Sequence, residues 1–195
     1  MRSFGRGAES EMFACTLFGI AAVAKVREPK RYRINALDDE LRWSRTRREA
    51  KILSVLAKHG VPVPALLGVG KDTIYMERLD GVLLRDTRKG PVFYSRLGGI
   101  VRDMHNAGVV HGDMTPANVM IAKGNIYIID FGLAEIANSV EEKALDILLM
   151  KRSADKRSYA GFLRGYSSDN KNFEQVTKRL ADIEKRGRYQ VRTLE

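Results

Sequence analysis

One cysteine, Cys15, is all the thiol this 195-residue chain carries. It cannot close an intrachain disulfide or furnish a cysteine-rich zinc site, and such sparse usage suits a reducing compartment. Long apolar runs are also missing. The longest stretch without charge, Met12 to Ala24, has 13 residues, well short of the roughly 20 that span a bilayer. A membrane-spanning helix is thereby excluded, and a secretory leader fits poorly because Glu9 and Glu11 break its positive flank. There is no internal repeat and no low-complexity tract. The expectation is a cytoplasmic chain with no membrane attachment.

What is present is a globular composition with an excess of positive charge. Apolar residues make up 44% and charged residues 30%, too much Leu, Ile, Val and Phe for disorder. Lys and Arg number 34 against 24 Asp and Glu, a formal net charge of +10. The excess is concentrated: ten basic and five acidic residues lie between Lys25 and Lys51, and six against three between Lys178 and Glu195. Such runs are usually solvated helix faces, but two clusters raise RNA or an acidic partner surface as an alternative.

The first 35 residues read as strands, with Phe13 to Leu17 and Ile20 to Val26 separated by a turn at Phe18-Gly19. Asp38 and Asp39 open a long charged helix whose Ile52, Leu53 and Leu56 keep a helical period and which Gly60 closes. Strands at residues 65–69 and 73–77 follow. From Pro91, the spacing of Phe93, Leu97, Ile100, Val101 and Met104 predicts a helix with one buried stripe. A polar loop, a small hairpin over residues 119–122 and 126–129, and helices at 141–150 and 173–185 complete the chain. This order predicts an α+β fold: a sheet with one helix over residues 1–80, a reduced helical part over 81–180, and a basic tail over 181–195. Two lobes joined at Glu77 to Asp80 would leave a cleft, a preferred place for a small-molecule site.

The most informative stretch is His111-Gly112-Asp113-Met114-Thr115-Pro116-Ala117-Asn118, followed twelve residues after Asn118 by Asp130-Phe131-Gly132. Phosphoryl transfer needs a carboxylate near the attacking hydroxyl and oxygen ligands for the metal on the phosphates. An Asp five residues before an Asn, then Asp-Phe-Gly after a hairpin, is the spacing of kinase-like catalytic and metal loops. Upstream, Ala22-Val23-Ala24-Lys25 reads as a strand ending in the lysine such a site needs on the phosphates. Glu49 is the best candidate for its acidic partner. Gly5-Arg6-Gly7-Ala8-Glu9-Ser10 stands where a glycine-rich turn would approach phosphates, with Gly7 its strongest position.

These residues resemble a known family, the small atypical kinase of the KEOPS (EKC) complex, archaeal-type and PRPK-like: the Bud-thirty-two family. The marks are Gly7-Ala8-Glu9, Lys25-x-Arg27, Lys30-x-Tyr32-Arg33, Leu37-Asp38, Arg45-Thr46-x-x-Glu49-Ala50 and the His111 to Asn118 loop. Ile129 to Leu133, Glu141-x-Lys143-Ala144-x-Asp146 and Arg186-Gly187-Arg188 continue them. The resemblance implies a minimal protein-kinase-like fold in which Asp113 is the catalytic carboxylate, with Asn118 and Asp130 holding Mg²⁺ or Mn²⁺. Lys25, paired with Glu49, would grip ATP; Gly7 and Ala8 would cover its phosphates; Met76, Glu77 and Leu79 would meet adenine. His111, Asp146 and Gly132 would support the site. It also implies ATPase or serine/threonine autokinase activity in service of tRNA threonylcarbamoyladenosine formation. The implied partners are the threonylcarbamoyl transferase subunit, a small activator subunit at the N-lobe, and tRNA, with Lys30, Arg33, Arg45, Arg186 and Arg188 as contacts.

Three departures from ordinary kinases stand out. Gly112 replaces the arginine that links the catalytic loop to a phosphorylated activation loop. Thr115 replaces the lysine on the γ-phosphate, which removes one positive charge from the transition state and implies a low intrinsic rate. Only 63 residues follow Gly132, without an Ala-Pro-Glu motif, leaving little platform for a peptide substrate. The competing readings are a small-molecule phosphotransferase, which also uses a His-Gly-Asp loop, and a non-enzymatic nucleotide-binding scaffold for tRNA and partner subunits.

Overall fold

The computed structural model describes the backbone of residues 2–6, 10–30 and 32–192 and the side chains of residues 10–30 and 32–186. Its elements in chain order are β1 (Arg2–Arg6), β2 (Glu11–Leu17), β3 (Ile20–Val26), α1 (Asn35–Lys58), β4 (Leu66–Val69), β5 (Thr73–Glu77) and β6 (Gly81–Leu83). Next come α2 (Pro91–Asn106), β7 (Val109–Val110), β8 (Val119–Ala122), β9 (Asn125–Ile128) and β10 (Glu135–Ile136). The helices α3 (Val140–Ser153), α4 (Lys156–Ser167) and α5 (Phe173–Arg192) complete it. Two compact units result, one of residues 1–81 with 120–132, the other of residues 82–119 with 133–195. The hairpin β8–β9 and Asp130, which the sequence reading grouped with the helical part, thus group almost wholly with the sheet.

In the first unit, five antiparallel strands run in the order β1, β2, β3, β5, β4. Phe18 and Gly19 connect β2 to β3 with φ of 50° and 77°, the doubly left-handed turn whose twist matches a two-residue hairpin. Ala22, Ala24, Ile52, Leu53, Leu56 and Ile74 form the unit's interior. The helix α1 buries Thr46, Glu49, Ala50, Leu53 and Leu56, one face at helical spacing that includes two polar residues. It ends as Gly60 predicted: with φ of 71°, Gly60 donates to Ala57 O, and Val61 donates to Leu56 O at 3.0 Å. This reciprocal pair satisfies two of the helix's last carbonyls.

Residues 27–30 and 32–34 are not strand, contrary to the expectation for the first 35. Instead, Asp38 in the first turn of α1 accepts from the Lys30 amide and from Arg33 and Arg42, which folds this segment back onto the helix. Local hydrogen bonding to a carboxylate has replaced ladder pairing.

In the second unit, α2 and α4 pack face to face. The helix α4 has no counterpart in the sequence reading because Gly161 and Gly165 depress its helical propensity. The structure explains both glycines: a Cβ at Gly165 would lie 1.8 Å from the Ser95 carbonyl oxygen, and one at Gly161 would lie 2.3 Å from that of Pro91. A Cβ at Gly98 on α2 would come equally close to the Phe162 carbonyl oxygen, at 2.0 Å. Three absent side chains therefore let two backbones touch, with Phe162 and Tyr166 buried beside them. Asp155 caps α4 by accepting from the amides of Arg157 and Ser158.

The contact leaves no room for a methyl group. Gly165→Ala is expected to cost about 3 kcal/mol, a fall of about 6–12 °C in melting temperature by calorimetry; an unchanged midpoint would show that α2 and α4 can separate freely.

Candidate active site

In the first unit, β3 and α1 position the predicted lysine and its carboxylate. Lys25 stands opposite Ile74, and Val23 stands opposite Met76 on β5, so these four residues share a face of the sheet. Across from that face, Glu49 projects from α1. Lys25 Nζ donates to Glu49 Oε1 at 2.7 Å and to Asp130 Oδ1 at 2.7 Å. The other Glu49 oxygen accepts from Arg27 Nη2 at 2.5 Å, while Arg27 Nη1 reaches Thr46 Oγ1 at 3.3 Å. Lys25, Arg27 and Glu49 are all buried.

Burial on its own would discharge the Lys25 ammonium. The carboxylates of Glu49 and Asp130 outweigh it and hold the pKa above the ordinary lysine value, so the group stays charged. Asp130 has φ of 61°, a left-handed backbone tolerated because its own side chain accepts from the Gly132 amide at 3.3 Å. Strained conformations of this kind are retained where surrounding contacts demand them. Gly132 lies against the pair: a Cβ there would come 3.3 Å from Asp130 Oδ1 and 3.7 Å from Lys25 Nζ. Met76, Glu77 and Leu79 are half-buried at the end of β5, where the Glu77 amide donates to Ala65 O. Gly7 and Ala8 lie outside the described residues.

The second unit holds the loop from His111 to Asn118. Its anchor is Asp146 on α3, fully buried, which accepts from the amides of His111 at 2.7 Å and Gly112 at 2.9 Å. Asn118 Nδ2 donates to the Asp113 carbonyl at 2.7 Å and to Asp113 Oδ2 at 2.8 Å, so the two ends of the loop are tied together. With its nitrogen so engaged, the Asn118 amide presents its oxygen as an acceptor. His111 Nδ1 accepts from the Asp113 amide at 3.3 Å, which places its ring proton on Nε2.

Two residues of this anchor were not singled out from sequence. His105 Nε2 donates to Asp146 at 3.1 Å, and His105 Nδ1 accepts from the Tyr166 hydroxyl at 2.8 Å. Burial pushes the His105 imidazole below its ordinary pKa and pushes the Tyr166 phenol up to about 12. A hydrogen-bonded chain therefore runs from a neutral Tyr166 through a neutral His105 to Asp146. Its signal was a histidine directly after the buried stripe Leu97, Val101, Met104 of α2.

Gly112 is also explained. Its φ is 77°, and a Cβ would lie 2.7 Å from the Leu133 carbonyl, where β7 and β10 come together. The arginine of ordinary kinases cannot stand there without moving that strand pair.

Of the predicted partner contacts, Lys30, Arg33 and Arg45 line one small cavity of the first unit. Arg186 is exposed on α5, and the side chain of Arg188 lies outside the described residues. Among the described residues, no helix is long and apolar enough to cross a membrane.

Residues 23–153 match the model of the RIO domain, two thirds of the chain. A probable serine/threonine-protein kinase, BUD32 homolog, of Archaeoglobus fulgidus is 42% identical over 173 residues, covering 86% of this chain and 88% of that relative. The chain belongs to the Bud32 family and carries a RIO domain. The KEOPS complex subunit Bud32 of Pyrococcus abyssi is 32% identical over 216 residues, covering 99% of this chain and 98% of that protein. A probable bifunctional tRNA threonylcarbamoyladenosine biosynthesis protein of Methanobrevibacter smithii is 35% identical over 194 residues; the match covers 94% of this chain but 36% of that longer relative. Among solved structures, the Rio2 kinase of Chaetomium thermophilum in its ADP/Mg²⁺-phosphoaspartate complex superposes with a TM-score of 0.66 at 19% identity, covering 96% of this chain and 70% of that one. The fold is therefore protein-kinase-like, as the resemblance implied.

Two outcomes test this architecture. Because the folded state holds His105 below the ordinary value, the unfolded chain takes up a proton that the fold refuses as pH drops below about 6.5. Stability should fall across that range and do so less steeply in His105→Gln, read from urea midpoints at pH 7.5 and 5.5. Gly112→Ala should cost about 1–2 kcal/mol for the left-handed backbone alone, a melting temperature lower by about 2–8 °C.

Proposed function

We propose that the chain is an ATP-dependent phosphotransferase and ATP hydrolase, a serine/threonine kinase capable of autophosphorylation, that serves threonylcarbamoyladenosine modification of tRNA as a KEOPS subunit. One observation carries the enzymatic reading. A buried lysine, kept charged between Glu49 and Asp130 at 2.7 Å each, is built to hold a polyanion. The names of its Bud32 relatives support the assignment to KEOPS and tRNA.

The donor chemistry fits a hard divalent cation. Asp130 offers carboxylate oxygens and Asn118 an amide oxygen, the ligand types that Mg²⁺ takes, and Mg²⁺ draws its remaining ligands from phosphates and water. When bound, Mg²⁺ or Mn²⁺ would neutralise charge on the ATP phosphates. Lys25 positions the phosphates, and Glu49 keeps the Lys25 ammonium aimed. Met76, Glu77 and Leu79 receive adenine, and Gly7 and Ala8 cover the phosphates. Asp113 accepts the proton of the attacking hydroxyl or water, held in place by Asn118 on one side and by His111 and the Asp146 anchor on the other. Thr115 supplies no cation to the transferring group, so turnover is slow in the isolated chain.

The partners in this reading are the threonylcarbamoyl transferase subunit, a small activator subunit and tRNA, met through Lys30, Arg33, Arg45, Arg186 and Arg188. The working location is the cytoplasm. Phosphate release and autophosphorylation from labelled ATP with Mg²⁺ test the proposal, with and without the transferase subunit. Asp113→Asn and Asp130→Asn should each lower the rate by about 10²–10⁴-fold while the melting temperature holds. ATP binding without turnover under every condition would instead favour a nucleotide-binding scaffold.

A further inference from the structure

In the second unit, the turn at Leu84–Asp86, Tyr94 of α2, the stretch from Thr115 to Ala117 and the junction of α3 with α4 border an open cavity of about 360 Å³. Leu84, Pro116 and Ala154 give it an apolar wall, and its size is that of a small-ligand or side-chain site. Tyr94 also lines it, in a residue only 8% exposed, and the Tyr94 hydroxyl makes no hydrogen bond among the described residues. The buried polar atoms left without a partner there are Arg27 Nε and Tyr159 Oη. The unpaired Tyr94 hydroxyl is therefore not sealed in the interior; it keeps its contact with solvent on the side of the cavity.

The polar wall is rich in acceptors. The Thr87 hydroxyl donates to the Leu84 carbonyl at 2.9 Å and the Ser153 hydroxyl to that of Leu149 at 2.6 Å, so each presents only lone pairs to anything else. Asp155, a carboxylate, accepts and cannot donate. It lies close enough to Tyr94 to add to the effect of burial in raising the phenol's pKa, so Tyr94 stays protonated. Thr115 makes no capping hydrogen bond and, like Tyr94, has its hydroxyl unengaged. The one donor-only side chain on the wall, Arg85, already stands 3.6 Å from Asp86. Five side-chain oxygen sites against one occupied cation call for a ligand that brings N–H donors and no acceptors.

We propose that this cavity seats a lysine or arginine side chain of a protein substrate, two or three residues along the chain from the serine or threonine that receives phosphate. Lysine and arginine end in donors only, and their aliphatic stems lie well along an apolar wall. Asparagine and glutamine would carry an acceptor oxygen in with them. Position links the cavity to the reaction: Thr115 follows Asp113 by two residues, so their Cα atoms lie within about 7 Å of each other. An extended substrate with its hydroxyl at Asp113 covers that distance in two or three residues. In the transfer, the acceptor oxygen bonds to the γ-phosphorus of ATP, the bond to the bridging oxygen breaks with its electron pair leaving on ADP, and the hydroxyl proton passes to Asp113. The seat rests on that role of Asp113, proposed above. The short chain after Gly132 leaves little platform for a peptide, yet α3 and α4 supply this much of one.

The full chain with ATP and Mg²⁺ is offered a short peptide bearing one serine, with lysine at the second and third positions on either side, and twins with leucine or glutamate in those places. At constant ionic strength the lysine peptide is expected to show a KM about tenfold below that of the leucine twin, with glutamate the poorest. Tyr94→Phe removes only the hydroxyl, and Asp155→Asn keeps the helix cap. Each should raise the KM of the lysine peptide by about tenfold while the leucine twin and the melting temperature stay where they were. Equal KM values for the three peptides, a preference for glutamate, or a lysine preference that survives both substitutions overturns the seat. Anisotropy of a fluorescent lysine peptide with ADP and Mg²⁺ present reads binding without chemistry. Saturable binding weakened by both substitutions supports the seat even where no peptide is phosphorylated; binding that never saturates, or that ignores the substitutions, overturns it. The two readings fail separately. Lysine-dependent binding by a chain that neither hydrolyses ATP nor transfers phosphate overturns the role of Asp113, whereas ATP hydrolysis by a chain that binds all three peptides alike overturns the seat alone.

Discussion

A single buried carboxylate organises the first unit. Glu49 stands between Lys25 and Arg27, giving one oxygen to each, and all three residues are almost completely withdrawn from solvent. Removing charges from water is unfavourable unless each finds a partner, so this trio holds only when β3 and α1 bring the three groups into well-aligned hydrogen bonds. The same requirement determines how α1 sits on the sheet, since Thr46 and Glu49 share its buried face with Ala50, Leu53 and Leu56. Charge pairing and apolar packing here specify one and the same helix orientation.

The second unit depends on a carboxylate in a different role. Asp146 meets two backbone amides and a neutral imidazole, so it shapes a loop through the loop's backbone. Holding the amides of His111 and Gly112 forces the chain through a left-handed turn at Gly112, and from there Asp113 and Asn118 close on each other. The chain from Tyr166 through His105 extends this support into the contact between α2 and α4. Three glycines, Gly98, Gly161 and Gly165, make that contact close enough for Tyr166 to be buried.

Much of this was legible in the residues. Gly60 announced the end of α1, Phe18-Gly19 announced the first hairpin, and the Asp113, Asn118 and Asp130 spacing announced a kinase-like loop pair, because each signal is local and the backbone obeys it locally. The failures have a physical cause in common. The helix α4 was missed since its glycines serve a neighbour rather than the helix itself. His105 and Tyr166 were passed over because a buried polar residue reveals its purpose only through partners far along the chain.

The sequence by itself determined the family, the longer strands from β2 onward and most helices, since these follow from periodicity, turn chemistry and short spacings, while the short strands β6, β7 and β10 were not legible in it. Only the tertiary structure decided that Lys25 shares Glu49 with Arg27, 22 residues before that carboxylate, and that Asp130 joins Lys25 from 105 residues away. Hydrogen bonds and desolvation act over a few ångströms in space. The distance along the chain that separates two partners leaves no mark on either of them until the fold brings them together.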